Sequence, residues 1–514
     1  MSETKSKTMN ELRLKSAVWP GITMLLLTGC MVGPKYHPPA PSATATAPPT
    51  AYKESPTQFQ ETDGWKVAQP QDAMLHGKWW EVYNDPELNA LEDKLNIDNQ
   101  NIRQFFENFM TARTLIAEAH SQLLPTVGTT LSYQASQTSS NLTNSSNANT
   151  GKVSSIGSLP FDVSWAPDLW GRVRNTIHEQ QYNAQLSEAD LENERLTEQA
   201  SLAAFFFEIR GQDALQQLLN ETVENDKKAL ELTRAQYETG IGDRLSVVEA
   251  ESTLQTVQSQ AINLGVARAQ FEHAIAVLVG ANPSQFSIPV KPLLTNAPAI
   301  PLGMPSALLE RRPDIAAAER KMAAANAQIG IAYAAYYPSL NISASYGYES
   351  SNFSHFFNLA SKFWSVGPSM SETIYDGGLR RATVNQFITT YNADIATYRQ
   401  TVLTAFQQVE DSLAAVRLLS QQILKQQQAV TSSEEALKLE IARYETGVDP
   451  YLNVVTLQTT LLSNQETLAS LHVQEMTASV QLVEALGGGW DRSQLPTPAE
   501  VSKKLDKAET TIEK

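Results

Sequence analysis

Tyr444-Glu445-Thr446-Gly447 repeats, at an offset of 207, the earlier stretch Tyr237-Glu238-Thr239-Gly240. The match continues at that offset: Leu245 with Leu452, Val247-Val248 with Val454-Val455, Leu254 with Leu461. Upstream, Leu124-Pro125-Thr126 matches Tyr337-Pro338-Ser339 at an offset of 213, and Ile102 and Ile315 each stand 23 residues before those prolines. The offset changes between Pro125 and Gly171, where the first copy carries the longer polar loop. A unit of roughly 200 residues is far longer than a solenoid repeat, so the pattern reads as one duplicated long unit.

Around the repeated tetrapeptide the chain reads as helix over great lengths. Between Leu379 and Thr446 there is neither Gly nor Pro. As one helix that stretch reaches about 100 Å at 1.5 Å per residue. No proline falls between Pro167 and Pro283 in the first copy. Val402, Phe406, Val409, Leu413, Val416, Ile423 and Val430 keep a heptad rhythm, and Val454, Leu457, Leu461, Leu468, Leu471 and Leu482 answer it on the returning helix. That is a coiled-coil seam. The helices reverse at Gly447-Val448-Asp449-Pro450 and at Gly240-Ile241-Gly242-Asp243. Glycine supplies the left-handed cap, and Asp449-Pro450 is expected to start the next helix.

Each copy opens with a further helix, expected over Asp85 to Leu123 and over Ser306 to Tyr336, and a proline ends it. Two strand-like segments follow. Val127, Thr129, Leu131, Tyr133 and Ala135 alternate with small polar residues, as do Leu159, Phe161, Val163 and Trp165. In the second copy Leu340, Ile342, Ala344, Tyr346 and Tyr348 do the same, then Trp364, Val366, Met370 and Ile374. One apolar and one polar face at period two fits the edge of a soluble sandwich. It also fits a membrane barrel strand, apolar toward lipid and polar toward a wet lumen. Four such aromatic-tipped strands, taken with the secretory N-terminus around Cys30 described below, favour the barrel. The loop Thr138 to Ser154 reads as a solvated tip, whereas Glu349 to Ser361 carries Phe353, Phe356 and Phe357.

Composition narrows the chemistry. The chain has 514 residues with a net charge of −16, 42% hydrophobic and only 18% charged. Length alone would suggest about three ordinary domains. The polar surface is built from Gln, Asn, Ser and Thr, and no long basic cluster offers a face to nucleic acid. The seven histidines show no i, i+4 pair, and there is one cysteine, so a disulfide framework or Cys-ligated zinc site is excluded. No GxSxG, HExxH or nucleotide loop marks an enzyme.

That cysteine is Cys30. It follows Lys5, Lys7, Arg13 and Lys15, a short apolar run from Ala17 to Leu27, and Thr28-Gly29. This is a secretory signal layout, too short to span a bilayer as a helix. Leu27-Thr28-Gly29-Cys30 resembles a bacterial lipobox, which makes residues 1–29 a signal peptide and Cys30 a diacylglyceryl and palmitoyl anchor, with no other cofactor expected. Met31 in place of aspartate favours, by the same resemblance, sorting to the outer membrane. Residues 30–75 are expected to form an extended linker, 76–290 and 291–490 the two repeats, and 491–514 a loose polar tail. Four strands cannot close a membrane barrel, so the barrel reading requires several copies; three would give twelve strands.

Cys30-Met31-Val32-Gly33-Pro34-Lys35-Tyr36, Trp79-Trp80 with Asp85-Pro86-Glu87-Leu88, and Phe161-Asp162 through Asp168-Leu169-Trp170-Gly171-Arg172 are motif-like. So are Leu308-Leu309-Glu310-Arg311-Arg312-Pro313-Asp314-Ile315 with Tyr337-Pro338-Ser339-Leu340, and Asp376-Gly377-Gly378-Leu379-Arg380-Arg381. Together they resemble the TolC-like outer membrane efflux proteins, in the lipoprotein branch serving resistance-nodulation-division pumps, from Cys30 to about Trp490. The resemblance implies a mainly α chain with β: a homotrimer with a shared 12-stranded outer-membrane β-barrel and a periplasmic α-barrel of coiled-coil helices. It implies a passive export duct in a Gram-negative outer membrane, with outer-membrane lipid, a periplasmic adaptor and the inner-membrane pump as partners. Protein secretion with an ABC transporter is the alternative, and a periplasmic adaptor or scaffold a third class. It places a periplasmic aperture just past the turns, at Asp449, Tyr451, Asn453 and Thr456 and at Asp243 and Glu249. Thr456 stands where many members carry aspartate, so an acidic ring is weaker here or supplied by Asp449, Asp243 and Glu249; such a ring would attract cations. It places adaptor docking at Tyr237, Gly240, Tyr444 and Gly447. Arg311-Arg312-Pro313-Asp314 is expected to be structural, Pro313 starting a helix and Asp314 complementing its dipole.

Overall fold

The computed structural model describes residues 31–41, 52–54, 77–139, 153–293, 297–300 and 308–503. Cys30 and the signal segment, Ser140 to Lys152 of the polar loop, and the end of the tail lie outside the described residues. In chain order the helices are α1 (Pro86–Asp98), α2 (Gln100–Ser121), α3 (Arg172–Glu238), α4 (Arg244–Leu278), α5 (Leu308–Arg311), α6 (Pro313–Ala334), α7 (Leu379–Glu445), α8 (Tyr451–Ala485) and α9 (Pro498–Val501). The strands are β1 (Thr126–Thr129), β2 (Ser132–Gln137), β3 (Val153–Trp165), β4 (Ser339–Ser350) and β5 (Lys362–Ser371).

The duplication is carried into the helix boundaries. α3 and α7 are each 67 residues long, and α4 and α8 each 35, with both ends of each pair separated by the offset of the repeated tetrapeptide. α2 and α6 are each 22 residues and keep the larger upstream offset.

The first helix of each copy is broken, contrary to expectation. Asn99 separates α1 from α2 in extended conformation, its side chain accepting from Ile102 N at 2.9 Å. Arg312 separates α5 from α6, because the ring of Pro313 disfavours helical geometry at the residue before it. These matched residues reach the same place. Asn99 Nδ2 donates to Leu278 O at 2.9 Å, and Arg312 Nη1 to Ala485 O at 3.0 Å. Both carbonyls are the last of a returning helix, where no intrahelical partner exists. Immediately beyond, Gly280 (φ +65°) and Gly487 (φ +95°) cross the break so closely that a Cβ would lie 2.5 Å from Asp98 O and 2.1 Å from Arg311 O. Arg312 also holds Asp314 through Nε at 3.0 Å and Nη2 at 2.6 Å, which makes this motif a structural latch.

The main core sits between these seams and the middle of the long helices, with Trp79, Leu88, Phe206, Ile209, Ile275, Met322, Leu413 and Val483 fully or almost fully buried. The described parts of the linker are docked against the body. Val32 N donates to Trp170 O at 3.1 Å, Asn326 Nδ2 to Pro34 O at 3.0 Å, and Tyr36 OH to Glu319 Oε1 at 2.7 Å. Tyr52 enters the core, and the amides of Lys53 and Glu54 both donate to the Glu410 carboxylate. The tail is likewise fixed as far as Lys503: Gln185 Nε2 donates to Pro496 O at 2.7 Å, and Val501 is buried with Ile116 and Ala184. Polar composition concealed these contacts because they are hydrogen bonds to backbone carbonyls and carboxylates, with Tyr52 and Val501 as isolated apolar anchors.

The strands form one antiparallel sheet in which β1 and β2 pair with β3, β3 with β4, and β4 with β5. β1 and β2 share one register, so they are a single expected strand interrupted at Thr130 and Leu131. Continuing that register puts Thr130 opposite Pro160, which has no N–H to give the ladder. On its other side Pro160 stands opposite Gly347, where a Cβ would come within 2.7 Å of the proline Cα. β5 ends at Ser371, so Ile374 lies past the strand it was expected to close.

Candidate functional site

Two regions are built for contact: the sheet and the paired hairpin tips. In the sheet, the register aligns the alternation across all the strands. Val127, Val163, Ala344 and Val366 form one row, and Phe161, Tyr346 and Trp364 share the next. Directly paired residues point to the same side, so the apolar face is continuous. The opposite face carries Ser164, Ser343 and Gly367, then Asp162, Ser345 and Ser365. The apolar face is uncovered, with Val127 at 71% and Trp364 at 75% exposure. Among the described residues β1/β2 and β5 each have a strand neighbour on one side only, leaving two open edges. No described helix is long and apolar enough to cross a membrane.

At the far ends of the long helices, the two turns are built alike. Gly240 N donates to Tyr237 O at 3.0 Å and Gly447 N to Tyr444 O at 2.9 Å, with both glycines in the left-handed region. They differ where the copies differ in sequence. Copy two has Arg443 and Asp449, whose side chains pair. That hydrogen bond holds the Asp449 carboxyl below its usual range. Copy one has Gln236 and Gly242 at the matched positions, and the amide of Gly242 donates to Gln236 O at 2.9 Å. Asp449 therefore does not cap the next helix; Pro450 occupies that position without a side-chain bond. Its counterpart Asp243 does cap, accepting from Ser246 N at 2.8 Å, which lowers its pKa.

The two hairpins are joined at their ends. Tyr444 OH donates to Gln236 Oε1 at 2.5 Å, and the rings of Tyr444 and Tyr451 lie 5.3 Å apart. Tyr451 is buried among Leu230, Ala250 and Val454, so it is packing between hairpins rather than a side chain presented at an opening. Burial, then the nearby Asp226 charge, pushes its hydroxyl up to about 12. Asn453 and Thr456 are exposed, and the Thr456 hydroxyl donates back to Leu452 O at 2.8 Å. Glu249 is half-buried and Tyr237 exposed.

Asp226 carried no sequence signal, being one acid on a long polar helix. The fold places it 96% buried, beside a groove of about 510 Å³ between the hairpins that Leu437, Ile441, Tyr451 and Gln458 help to line. Its Oδ2 has no hydrogen-bond partner among the described residues, and burial raises its pKa to about 6. A carboxyl whose folded pKa exceeds the unfolded value of 3.8 favours the folded tips most below that value. The contribution is lost as pH rises through about 6. Tip amide hydrogen exchange, corrected for intrinsic rate, is expected to accelerate between pH 4 and 7 in the parent and to stay flat in Asp226→Asn.

The outer membrane efflux protein family model matches residues 93–281 and 304–488. The antibiotic efflux pump outer membrane protein ArpC of Pseudomonas putida is 28% identical over 478 residues, 93% of this chain and 96% of its own length. The solvent efflux pump outer membrane protein SrpC of the same species is 29% identical over 477 residues, 92% and 98% of the two chains. The solved outer-membrane channel OprN superposes with a TM-score of 0.79 at 26% identity, covering 90% of this chain and all of that one. The match spans both copies, each with its helices, strand pair and hairpin, and the chain belongs to the outer membrane efflux protein family.

Proposed function

We propose that the chain is one subunit of a trimeric outer-membrane duct, the exit of a tripartite efflux system. It passes small molecules delivered by an inner-membrane resistance-nodulation-division pump through a periplasmic adaptor. The observation that carries this reading is the uncovered apolar sheet face with two open strand edges, set on helices of 67 residues. In lipid every backbone group must be paired, so edges at membrane depth require neighbours. Three copies pairing β5 of one with β1/β2 of the next close a barrel and remove every edge. The small-residue face then lines a wet lumen. Relatives named for antibiotic and solvent efflux support small organic cargo over secreted protein.

At the periplasmic end, the Tyr444–Gln236 bond and the buried Tyr451 hold the two hairpins together, and the exposed turns at Tyr237, Gly240 and Gly447 are offered to the adaptor. Asp449 is paired with the Arg443 guanidinium, whereas Asp243 accepts only from the neutral Ser246 amide and stays charged, so the aperture's negative charge falls mainly to Asp243 and Glu249. Cys30, one residue before the docked Met31, carries the lipid; radioactive palmitate in the parent and none in Cys30→Ser is the expected labelling.

The test of the duct is direct. Purified full-length protein in detergent is expected to sediment as a trimer and to conduct ions across a planar bilayer, with Tyr444→Phe raising the open fraction. A monodisperse monomer without conductance would sink the reading.

A further inference from the structure

The loop between β4 and β5 carries Phe353, Phe356, Phe357 and Leu359. A hairpin tip that merely meets water has no use for four large apolar side chains. Three of them are open: Phe353 is 85%, Phe357 71% and Leu359 82% exposed. The fourth, Phe356, is buried and sets the direction in which the loop leans.

That direction follows from two contacts. A Cβ built on Gly157 would lie 3.2 Å from the Phe356 ring. Gly157 shares the period-two face of Leu159, Phe161 and Val163, the apolar face of the sheet. The Phe357 ring meets Tyr348 edge-on at 5.5 Å, and Tyr348 pairs with Leu159 on the same face. Phe353 stacks on Phe356 at 6.1 Å, and Phe356 meets Phe357 edge-on at 5.1 Å. The cluster is therefore folded over the outer side of the sheet, away from the small polar face. Ser361 Oγ to His355 O at 2.8 Å and Ser354 N to Asn352 Oδ1 at 3.1 Å hold the loop in that bend. Lys362 pairs with Tyr348 and so stands on the same face, where a long side chain reaches from apolar surroundings toward lipid phosphates.

We propose that this loop is a lipid-binding foot, with Phe353, Phe357 and Leu359 seated among the acyl chains of the outer leaflet. The proposal rests on the barrel reading of the sheet and extends it beyond the strands. The occupant is lipid because the cluster continues the lipid-facing wall without a break, through Val366, Trp364 and Tyr348. The foot widens each subunit's apolar footprint at the level where the barrel emerges from the membrane.

The test uses the full-length trimer in phosphatidylcholine vesicles with bromine atoms on the acyl chains. Single variants Phe357→Cys, Leu359→Cys, Val366→Cys and Ser365→Cys are each labelled with an environment-sensitive fluorophore, and any labelling of the parent at Cys30 is subtracted. Phe357→Cys and Leu359→Cys are expected to lose emission as fully as the wall position Val366→Cys, while Ser365→Cys keeps it. If Val366→Cys is quenched and the two loop positions are not, the foot is wrong and the barrel stands. If Val366→Cys itself keeps its emission, the barrel reading fails and takes the foot with it.

Discussion

Gly487→Ala is expected to destabilise the helical body by about 3–5 kcal/mol, a large part of what holds a typical fold together. Two costs add. At φ +95° an alanine sits in a region that L side chains rarely adopt. Its Cβ would also lie 2.1 Å from Arg311 O, and that atom is backbone, unable to swing aside. The loop after α8 must then separate from the break between α5 and α6, which opens the seam over Leu482, Val483 and Leu486. Gly447→Ala is the matched control: φ is +74° but nothing lies within 4 Å, so only the conformational cost of about 1 kcal/mol remains. Denaturant unfolding followed by circular dichroism in detergent separates the two; equal losses would refute the close-packed seam.

Arg312→Ala is expected to cost about 3 kcal/mol, close to what breaking a buried ion pair costs when one partner stays behind. Arg312 is buried, and it satisfies both Asp314 and the last carbonyl of α8. Truncation leaves that carboxylate unpaired in a half-buried site and the carbonyl without its donor. Arg312→Lys should recover only part of the loss, since one ammonium cannot reproduce a fork that serves two acceptors. Asn99→Ala, the first-copy equivalent, removes a neutral cap and should cost about 1 kcal/mol. The same unfolding experiment reads all three variants. Stability unchanged in Arg312→Ala would mean that Pro313 alone holds the break.

The large architecture was legible because it is written in local periodicity and repeated. The absence of Gly and Pro from Leu379 to Thr446, and the return of Tyr-Glu-Thr-Gly, are enough to place four long helices. The alternation in Leu340 to Tyr348 is enough to place a strand and its two faces. What stayed hidden depends on partners distant in sequence. Pro160 sits comfortably in its own alternation; its missing N–H interrupts β1/β2, another strand altogether. Pro313 announces one helix break, whereas Asn99, in an otherwise helical stretch, announces nothing. At the tips, Tyr444 and the glycines stand out by repetition. Gln236, the acceptor that ties one hairpin to the other, is marked only by being a position where the copies disagree. Tyr451 read as an aperture residue by its place after the turn, yet Leu230 and Ala250 of the first-copy hairpin cover it, and no local pattern encodes that cover.

The docked linker bears on the order in which the molecule can be made. Val32 meets Trp170 and Asn175 of the first copy, but from Pro34 onward the linker's hydrogen bonds run to Glu319, Asn326, Glu410 and Arg417 of the second, and the Tyr36 contact with Glu319 spans 283 residues. Closing a loop on that scale costs about 5 kcal/mol in chain entropy by the logarithmic law, and the cost is met before the contact exists. The residues that leave the ribosome early therefore find their place only after α6 and α7 have formed. A chain in transit across the periplasm carries its linker undocked, and seating it is a late step that reports completion of the whole fold.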